Sequence, residues 1–287
     1  MIEQDQSILL IGLGLIGGSY AQKLTEEGYR VLALDQDPAA ITYGLEHGLI
    51  QVGATTVEEA LAKGFFAESS LVVFGLYPTA MIQWLRQYQQ VFAAGAILMD
   101  VSGVKCHVVD VIQEELRPDL EFIGCHPMAG RETSGVQNSD AGIFAGANFI
   151  VTPTEKNRPE TIALAKEFGA LLGFANISQL SLAEHDEMIG FLSQLTHAIA
   201  VSLMTCNEDE NMQKYTGDSF RDLTRIAKIN ETMWTELFFL NKEILLHHID
   251  DFTAQLQRLK GMLQQEKPEE LKALFRQSTA RRKAFDR

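Results

Sequence analysis

A glycine-rich segment near the start of the chain has the residue types and spacing of a phosphate-binding loop. Gly12, Gly14 and Gly17 follow the apolar run of residues 7–11 in the spacing G-x-G-x-x-G. The first glycine permits a tight turn, the second lets a pyrophosphate approach the backbone, and the third lets a helix pack against the strand. The segment therefore predicts a dinucleotide-binding turn between a strand and a helix.

The residues after this loop indicate which dinucleotide is bound. Leu15 and Ile16 begin the predicted helix, whose free N–H groups and positive dipole end favour phosphates. The next apolar run, residues 29–35, ends in Asp35, close to the position about 20 residues on where such motifs place a ribose-binding acid. A carboxylate there accepts hydrogen bonds from both ribose hydroxyls of NAD and repels the additional phosphate of NADP. The alternative is a tight turn without a ligand, but the combined pattern favours NAD.

A second stretch with chemical potential is GCHPMAGRETSG, residues 124–135. Pro127 removes a backbone donor and biases His126 toward extended angles. The stretch follows an apolar run, so we expect a loop at the carboxyl edge of a sheet, where ligands bind. A histidine held there can hydrogen-bond a substrate hydroxyl as it becomes a carbonyl, whereas the alternative is a structural histidine that caps a loop.

The elements that must position these residues follow from hydrophobic patterning. Six apolar runs of strand length alternate with amphipathic stretches: residues 7–11, 29–35, 70–76, 95–101, 121–125 and 148–153. A further helix and strand, within residues 159–180, close the pattern. Alternating strands and helices predict a parallel sheet covered on both faces. The fold class predicted is α/β, a Rossmann-type doubly wound domain over residues 1–180.

The composition of the chain changes after this domain. From residue 181 onward no strand pattern is present, and residues 185–206 and 233–263 carry apolar residues at helical spacing. The second stretch is long for a globular helix, and its stripe is mostly apolar. Residues 181–287 therefore predict an all-α domain whose helices pack on one another and on a second subunit.

Composition and charge limit the class of protein. The 287 residues suit about two domains, and a net charge of −14 makes nucleic acid an unfavourable partner, although a few arginines can still bind a small anion. Three scattered cysteines without a C-x-x-C pair argue against disulfides and structural zinc. The polar start is unlike a signal peptide, and no apolar run reaches the roughly 18 residues of a membrane helix. We expect a cytoplasmic protein with no membrane partner.

Several segments in the same order resemble the prephenate and arogenate dehydrogenases, oxidoreductases of tyrosine biosynthesis. GCHPMAGRETSG resembles their histidine signature, and GLGLIGGS, DVSGVK (100–105), SQLTHAIA (193–200) and SFRDLTRIA (219–227) match further motifs across essentially the whole chain. The resemblance implies oxidative decarboxylation of prephenate to 4-hydroxyphenylpyruvate with hydride transfer to NAD. It also implies a homodimer formed through the helical domain.

The resemblance also assigns roles to individual positions. His126 matches the catalytic histidine that bonds the ring hydroxyl of the substrate, and Arg225 matches the arginine that pairs with a substrate carboxylate, a task suited to its two parallel N–H donors. The substrate-binding residues implied in this way are Glu132, His197, Arg225, Asp222 and Trp234.

Two departures from the family pattern leave alternatives open. The usual D-V-G-S-V-K reads DVSGVK, so the family serine falls on Gly103 and Ser102 becomes the candidate catalytic serine. In the segment that usually reads S-H-L-P-H, Gln194 and Thr196 replace the first histidine and the proline, while His197 remains. The departures are the support for a second hypothesis, a dinucleotide-binding sensor without catalysis.

Substrate preference is a further open choice. Glu132 could attract the ammonium group of arogenate or be neutralised by Arg131, so an arogenate or dual-specificity cyclohexadienyl dehydrogenase is the alternative enzyme. Lys105 is either near the cofactor or on the surface, and Arg221 shares a predicted helix face with Arg225. Inhibition by tyrosine at the active site is a related hypothesis, because the product resembles the substrate.

Overall fold

The computed structural model describes residues 6–131 and 133–285, so the predicted substrate-binding residue Glu132 lies outside the described residues. Within these ranges the N-terminal part forms one eight-stranded sheet in the order β3-β2-β1-β4-β5-β6-β7-β8. The strands are β1 (Ser7–Ile11), β2 (Arg30–Leu34), β3 (Val52–Ala54), β4 (Ser69–Phe74), β5 (Ile97–Asp100), β6 (Glu121–Met128), β7 (Asn148–Thr152) and β8 (Asn176–Gln179).

Thirteen α-helices lie within the described residues. Seven cover the sheet: α1 (Leu15–Glu26), α2 (Pro38–Glu46), α3 (Val57–Ala62), α4 (Phe65–Glu68), α5 (Pro78–Tyr88), α6 (Cys106–Glu115) and α7 (Pro159–Leu171). Six follow it: α8 (Leu182–Ile189), α9 (Thr196–Thr205), α10 (Asp218–Thr224), α11 (Glu231–Leu240), α12 (Lys242–Gln264) and α13 (Pro268–Arg282).

The central strands confirm the predicted Rossmann-type fold. β1 is buried along its whole length, and it pairs in parallel with β2 and β4, as expected for strands covered by helices on both faces. The expectation of a parallel sheet is wrong at one edge, because β7 runs antiparallel to β6. β3 has three residues and contains a glycine, which is why no apolar run predicted it.

Two hydrophobic clusters lie on opposite faces of the sheet. One joins α1, α2 and α7 through residues such as Tyr20, Ile41 and Phe168. The other joins α3 to α6 and also contains Leu237 of α11. The helical part of the chain is therefore anchored directly in a core of the sheet, and this contact brings its residues to the carboxyl edge.

The chain passes from sheet to helices within two residues, since β8 ends at Gln179 and α8 begins at Leu182. The predicted helix over residues 185–206 is helical throughout but contains a π-helical turn, Gly190–Leu195, between α8 and α9. The single helix predicted over 233–263 is wrong, because it is interrupted at Asn241 between α11 and α12. The Asn241 side chain donates to the Asp186 carbonyl, 3.0 Å, and to Gln194 Oε1, 2.9 Å, and these bonds hold the break against α8 and the π-helical turn.

Candidate active site

The glycine loop forms the turn that its spacing predicts. Gly12 has φ +99°, a left-handed conformation that favours glycine. A methyl group at Gly17 would overlap the Gly12 carbonyl oxygen, whereas one at Gly14 would meet no atom within 4 Å. Gly14 also precedes α1 without a side-chain cap, so the first amides of the helix, including those of Leu15 and Ile16, remain available to a phosphate.

A cavity of about 290 Å³ lies between this loop and the ends of β2 and α2. It is lined by Leu13, Gly14, Asp35, Asp37, Ala39, Ala40, Tyr43, Gly135, Val136 and Gln137. The Asp35 carboxylate is held in place, because Oδ2 accepts from the Leu13 amide at 2.6 Å and Oδ1 from the Asp37 amide at 2.9 Å. Open backbone at Gly14 and the fixed carboxylate of Asp35 suit the phosphate and ribose of NAD, and this carboxylate disfavours the third phosphate of NADP.

His126 does not lie on a loop, contrary to the expectation from its glycine- and proline-rich surroundings. It belongs to β6, which continues to Met128, and it faces Ile150 of β7 in the antiparallel ladder. The preceding residues of β6 pair with β5 only as far as Ile123. His126 therefore lies where β6 leaves its parallel neighbour, at the carboxyl edge of the sheet.

A buried ion pair binds the backbone of β6 just after its pairing with β5 ends. Lys105 Nζ lies 2.6 Å from Asp100 Oδ2 and both side chains are almost completely buried. Asp100 Oδ1 accepts from the Cys125 amide at 2.8 Å, and Lys105 Nζ donates to the Cys125 carbonyl at 2.6 Å. The pair thus holds the residue before His126 by both of its backbone groups, and the surface position considered for Lys105 is wrong.

The candidate serine is part of the same buried cluster. The Ser102 hydroxyl donates to Asp100 Oδ2, its oxygen also lies 3.0 Å from the Val104 carbonyl oxygen, and Lys105 Nζ lies 3.4 Å away. The hydroxyl is therefore engaged by the ion pair beneath His126.

One residue of α8, His185, contacts His126 from the helical side, and its neighbour Asp186 holds His185. His126 Nδ1 lies 2.9 Å from His185 Nε2, and His185 Nδ1 lies 2.7 Å from Asp186 Oδ1. The Asp186 carboxylate also accepts from the amides of Lys105 and Cys106, each at 2.8 Å, and so caps α6 from another part of the chain.

Burial controls the charge of these groups. It lowers the pKa of His126 well below its usual value, and nearby His185 and Lys105 lower it further, so this imidazole is neutral near pH 7. Burial also lowers the pKa of His185, although the hydrogen bond to Asp186 opposes the change. Burial would raise the pKa of Asp186, but the bonds from His185 and the Cys106 amide outweigh it and leave that pKa below the ordinary value.

Some of the remaining predicted residues lie on helices connected to the Nε2 side of His126 through Leu237 of α11. A Cβ atom placed on Gly103 would lie 3.7 Å from His126 Nε2 and 3.7 Å from Leu237 Cδ1. One turn earlier on α11, the Trp234 ring stacks on His197 of α9 with centroids 3.7 Å apart. The other end of this array is the turn Arg225–Ala227, which packs against α9.

Several charged residues near this array lie in other elements or have other partners than the sequence patterns predict. Arg225 begins a 3-10 turn after α10 rather than continuing one helix with Arg221, which pairs with Asp218 at 2.9 Å. Asp222 is an exposed residue of α10. Arg131 pairs with Asp140 at 2.6 Å on the surface.

Gln194, one of the two departures behind the sensor hypothesis, is a buried structural residue. Its amide nitrogen donates to the Leu237 carbonyl at 3.0 Å, and its oxygen accepts from Asn241. The side chain thereby ties the π-helical turn to the end of α11. Glutamine at this position therefore has a structural role in this chain.

Four residues of the site were not among the predicted site residues: Asp100, Lys105, His185 and Asp186, although Lys105 was considered as a residue near the cofactor or on the surface. The sequence signal for Asp100 and Lys105 is that they are the first and last residues of DVSGVK, which places an acid and a lysine near the end of a predicted strand. His185 and Asp186 carried the signal of a run of three titratable residues, 185–187, at the start of a mostly apolar helical stretch, HDEMIGFLSQL.

Comparisons with known proteins agree with this arrangement. Residues 20–177 match the family model described as prephenate dehydrogenase, nucleotide-binding domain, and residues 181–277 match prephenate dehydrogenase, dimerization domain. A prephenate dehydrogenase of Bacillus subtilis is 28% identical over 96% of this chain and 75% of its own length. A cyclohexadienyl dehydrogenase of Zymomonas mobilis is 26% identical over 97% of this chain and 95% of its own length.

A solved structure extends the likeness to the whole fold. The prephenate dehydrogenase of A. aeolicus, in complex with hydroxyphenyl propionate and NAD+, superimposes with a TM-score of 0.90 at 28% identity and covers 100% of both chains. The glycine loop, the histidine at the sheet edge and the helical domain thus occur together in an NAD-dependent oxidoreductase fold. The chain belongs to the prephenate dehydrogenase family.

Proposed function

We propose that this protein oxidises prephenate with NAD and releases carbon dioxide and 4-hydroxyphenylpyruvate, a step of tyrosine biosynthesis. The observation that carries the proposal is the placement of His126. Its neutral imidazole lies at the carboxyl edge of a dinucleotide-binding sheet, and its Nε2 edge borders the space between Gly103 and α11. That is the place where a substrate held by the helical domain would meet a cofactor held by the sheet.

The residues of this chain can meet the demands of the reaction. NAD, when bound, accepts the hydride that leaves the hydroxyl-bearing carbon. A neutral His126 accepts the hydroxyl proton at Nε2 while the carbonyl forms. Loss of the ring carboxylate as carbon dioxide then moves the pair of electrons from the broken bond through the ring to the carbonyl oxygen, which takes a proton back from His126 to give the aromatic hydroxyl. The glycine loop and Asp35 hold the dinucleotide, so that much of the rate comes from orientation of the two reactants.

Substrate recognition is assigned to the helical residues. We assign a carboxylate of prephenate to Arg225, and the sides of the ring pocket to His197, Trp234 and Asp222. The stacking of His197 on Trp234 supports this assignment, because it fixes the two rings against each other, and Trp234 lies one turn before Leu237, whose side chain is close to the position beside His126. Glu132, outside the described residues, keeps its role at the pocket mouth as a prediction. For Ser102 we favour an indirect role through Asp100 and Lys105, since its hydroxyl is engaged there.

We further propose that residues 1–180 bind the dinucleotide and that residues 181–287 bind the substrate and form the dimer interface. The protein would be a cytoplasmic homodimer. Residues Leu182–Thr205 are long and apolar enough to span a membrane by length and composition, which the sequence pattern did not indicate. Met188, Phe191 and Leu192 of this stretch are exposed in the single chain. The match of residues 181–277 to a dimerization domain supports the proposal that a second subunit packs against these exposed side chains. Light scattering of the purified protein tests this assignment: a dimeric mass without detergent is expected, and a monomer would contradict it.

One experiment tests the reaction and its main alternative. NADH formation is followed by absorbance with prephenate and with arogenate in parallel, for the wild type and for His126→Asn. We expect turnover of prephenate, and a loss of about 10²- to 10⁴-fold in the variant with NAD affinity retained. A preference for arogenate in kcat/KM would assign an arogenate dehydrogenase, and comparable turnover of both substrates would assign a dual-specificity cyclohexadienyl dehydrogenase, the description of the 26% identical relative. NAD binding without turnover of either substrate would support the sensor hypothesis instead.

A further inference from the structure

A series of hydrogen bonds connects His126 to the N-terminus of α6. It runs from His126 Nδ1 to His185 Nε2, 2.9 Å, and from His185 Nδ1 to Asp186 Oδ1, 2.7 Å. It ends at the amides of Lys105 and Cys106, which donate to the Asp186 carboxylate. The side chains of His185 and Asp186 are almost completely buried, so water does not replace these partners.

The chemistry of the partners determines where each proton lies. A backbone amide only donates and an ionised carboxylate only accepts, so Asp186 requires a proton on Nδ1 of His185. A neutral His185 then has an unprotonated Nε2, which accepts. The bond to His126 therefore requires a proton on His126 Nδ1, and the remaining nitrogen of that neutral ring, Nε2, carries a lone pair.

We propose that His185 and Asp186 are positioning residues that hold His126 in the tautomer with an unprotonated Nε2. The inference rests on the proposed function, because only this tautomer can accept the proton of a substrate hydroxyl at Nε2. The Nε2 edge is also the edge that borders the open position at Gly103. With the opposite tautomer, an N–H would point at the hydroxyl, and the imidazole could not act as a base there.

The arrangement also links this tautomer to the docking of the two parts of the chain. His126 belongs to β6 of the sheet, while His185 and Asp186 belong to α8 of the helical part. The Asp186 carbonyl is in turn held by Asn241 at the break between α11 and α12. The base is therefore prepared only when the helical part that binds substrate is seated on the sheet.

Two variants of His185 separate tautomer control from packing. In His185→Gln the amide oxygen can accept from His126 Nδ1 and the amide nitrogen can donate to Asp186, which keeps the same order of donors. In His185→Leu neither bond can form. We expect kcat of the leucine variant to fall by at least ~10-fold with NAD affinity unchanged, and the glutamine variant to recover most of the loss, as expected when a base loses the group that fixes its tautomer.

Nuclear magnetic resonance of the ¹⁵N-histidine-labelled wild type reads the tautomer directly. His126 is identified by the signal that His126→Asn lacks, and we expect its Nδ1 protonated and its Nε2 unprotonated. A protonated Nε2 in the wild type, or a folded leucine variant with wild-type kcat, overturns the proposal. If the leucine variant does not fold, the wild-type spectrum still decides. Failure of the wild type to oxidise prephenate or arogenate would reject the function, and the same spectrum would still report on the positioning.

Discussion

The two ends of the proposed active site are built in different ways. At the nucleotide end, the Asp35 carboxylate accepts from the amide of Leu13, 22 residues away. The groups available to a dinucleotide there are backbone amides and side chains that line an open cavity. At the histidine end, His126 and His185 are 59 residues apart, and Lys105 and Asp186 are 81 apart. The first end is mainly a local strand–turn–helix unit, with residues 135–137 along one side of its cavity, whereas the second depends on buried charged and polar groups from two parts of the chain. Changes at the first should therefore alter affinity, and changes at the second should alter folding and turnover together.

Removal of the buried cation at the histidine end should have the largest effect. Lys105→Met leaves the Asp100 carboxylate buried without its partner, which typically costs about 3–5 kcal/mol in the free energy of unfolding. Urea unfolding followed by circular dichroism measures this loss. The double variant Asp100→Asn/Lys105→Met removes both charges and should be more stable than the single one. Equal stability of Lys105→Met and wild type would show that the ion pair does not support this end.

A change at the nucleotide end should be smaller and confined to the cofactor. Asp35→Asn removes a charge from the ribose site, and we expect NAD to bind roughly 10- to 100-fold more weakly while NADP loses less, because the repulsion of its phosphate falls as well. Calorimetry with both dinucleotides measures the two affinities. Asp37→Asn is the matched control, since it also removes a carboxylate of the cavity but can keep the cap of α2. An unchanged ratio of NAD to NADP affinity would contradict the role of Asp35.

The pH dependence of folding should belong to the histidine end. Burial lowers the pKa of His126 and of His185, so below about pH 6.5 these two histidines bind protons in the unfolded chain but not in the folded chain. The free energy of unfolding should be highest above this pH and fall as the pH decreases, by up to about 1.4 kcal/mol per pH unit for each histidine. Urea unfolding at pH 7.5, 6.5 and 5.5 tests this slope. His126→Asn should flatten the slope, and an equally steep slope in that variant would assign the effect to other groups.

The contrast between the ends also explains what could be predicted from sequence. The glycine loop and Asp35 are predictable because each requirement is met by a residue type at a fixed spacing along one strand–turn–helix unit. Alternation of apolar runs likewise indicated the doubly wound sheet. β3 was missed because its three residues, Val52–Ala54, contain too few apolar side chains for the pattern.

The histidine end required information that local patterns do not contain. Glycine and proline around His126 indicated a loop, but pairing of β6 with β7 made the segment a strand. Lys105 was equally compatible with the surface, because burial of a lysine depends on a distant acid. The break at Asn241 was hidden in a continuous apolar periodicity, since its cause is a side-chain bond to residues about 50 positions earlier.

The smallest effect should come from a glycine at the histidine end, and it can be compared with one at the nucleotide end. A Cβ atom on Gly103 would make ordinary van der Waals contacts of 3.7 Å with His126 and Leu237. Gly103→Ala should therefore be stable, with a gain of about 0.4–1 kcal/mol from the less flexible unfolded chain. Gly17→Ala, by contrast, would overlap the Gly12 carbonyl and should lose NAD binding.

Gly103→Ser then asks whether the position of the family serine can accept a hydroxyl in this chain. We expect the variant to fold as well as Gly103→Ala and to change kcat/KM by less than about 10-fold, equivalent to about 1.4 kcal/mol, because an atom added at this position makes only ordinary van der Waals contacts. Thermal unfolding and NADH formation measure the two effects. A destabilisation of Gly103→Ala as large as that of Lys105→Met would mean that the space beside His126 Nε2 is closed. In that case the substrate could not approach the imidazole from the side of α11, and the two ends of the site would not face one another.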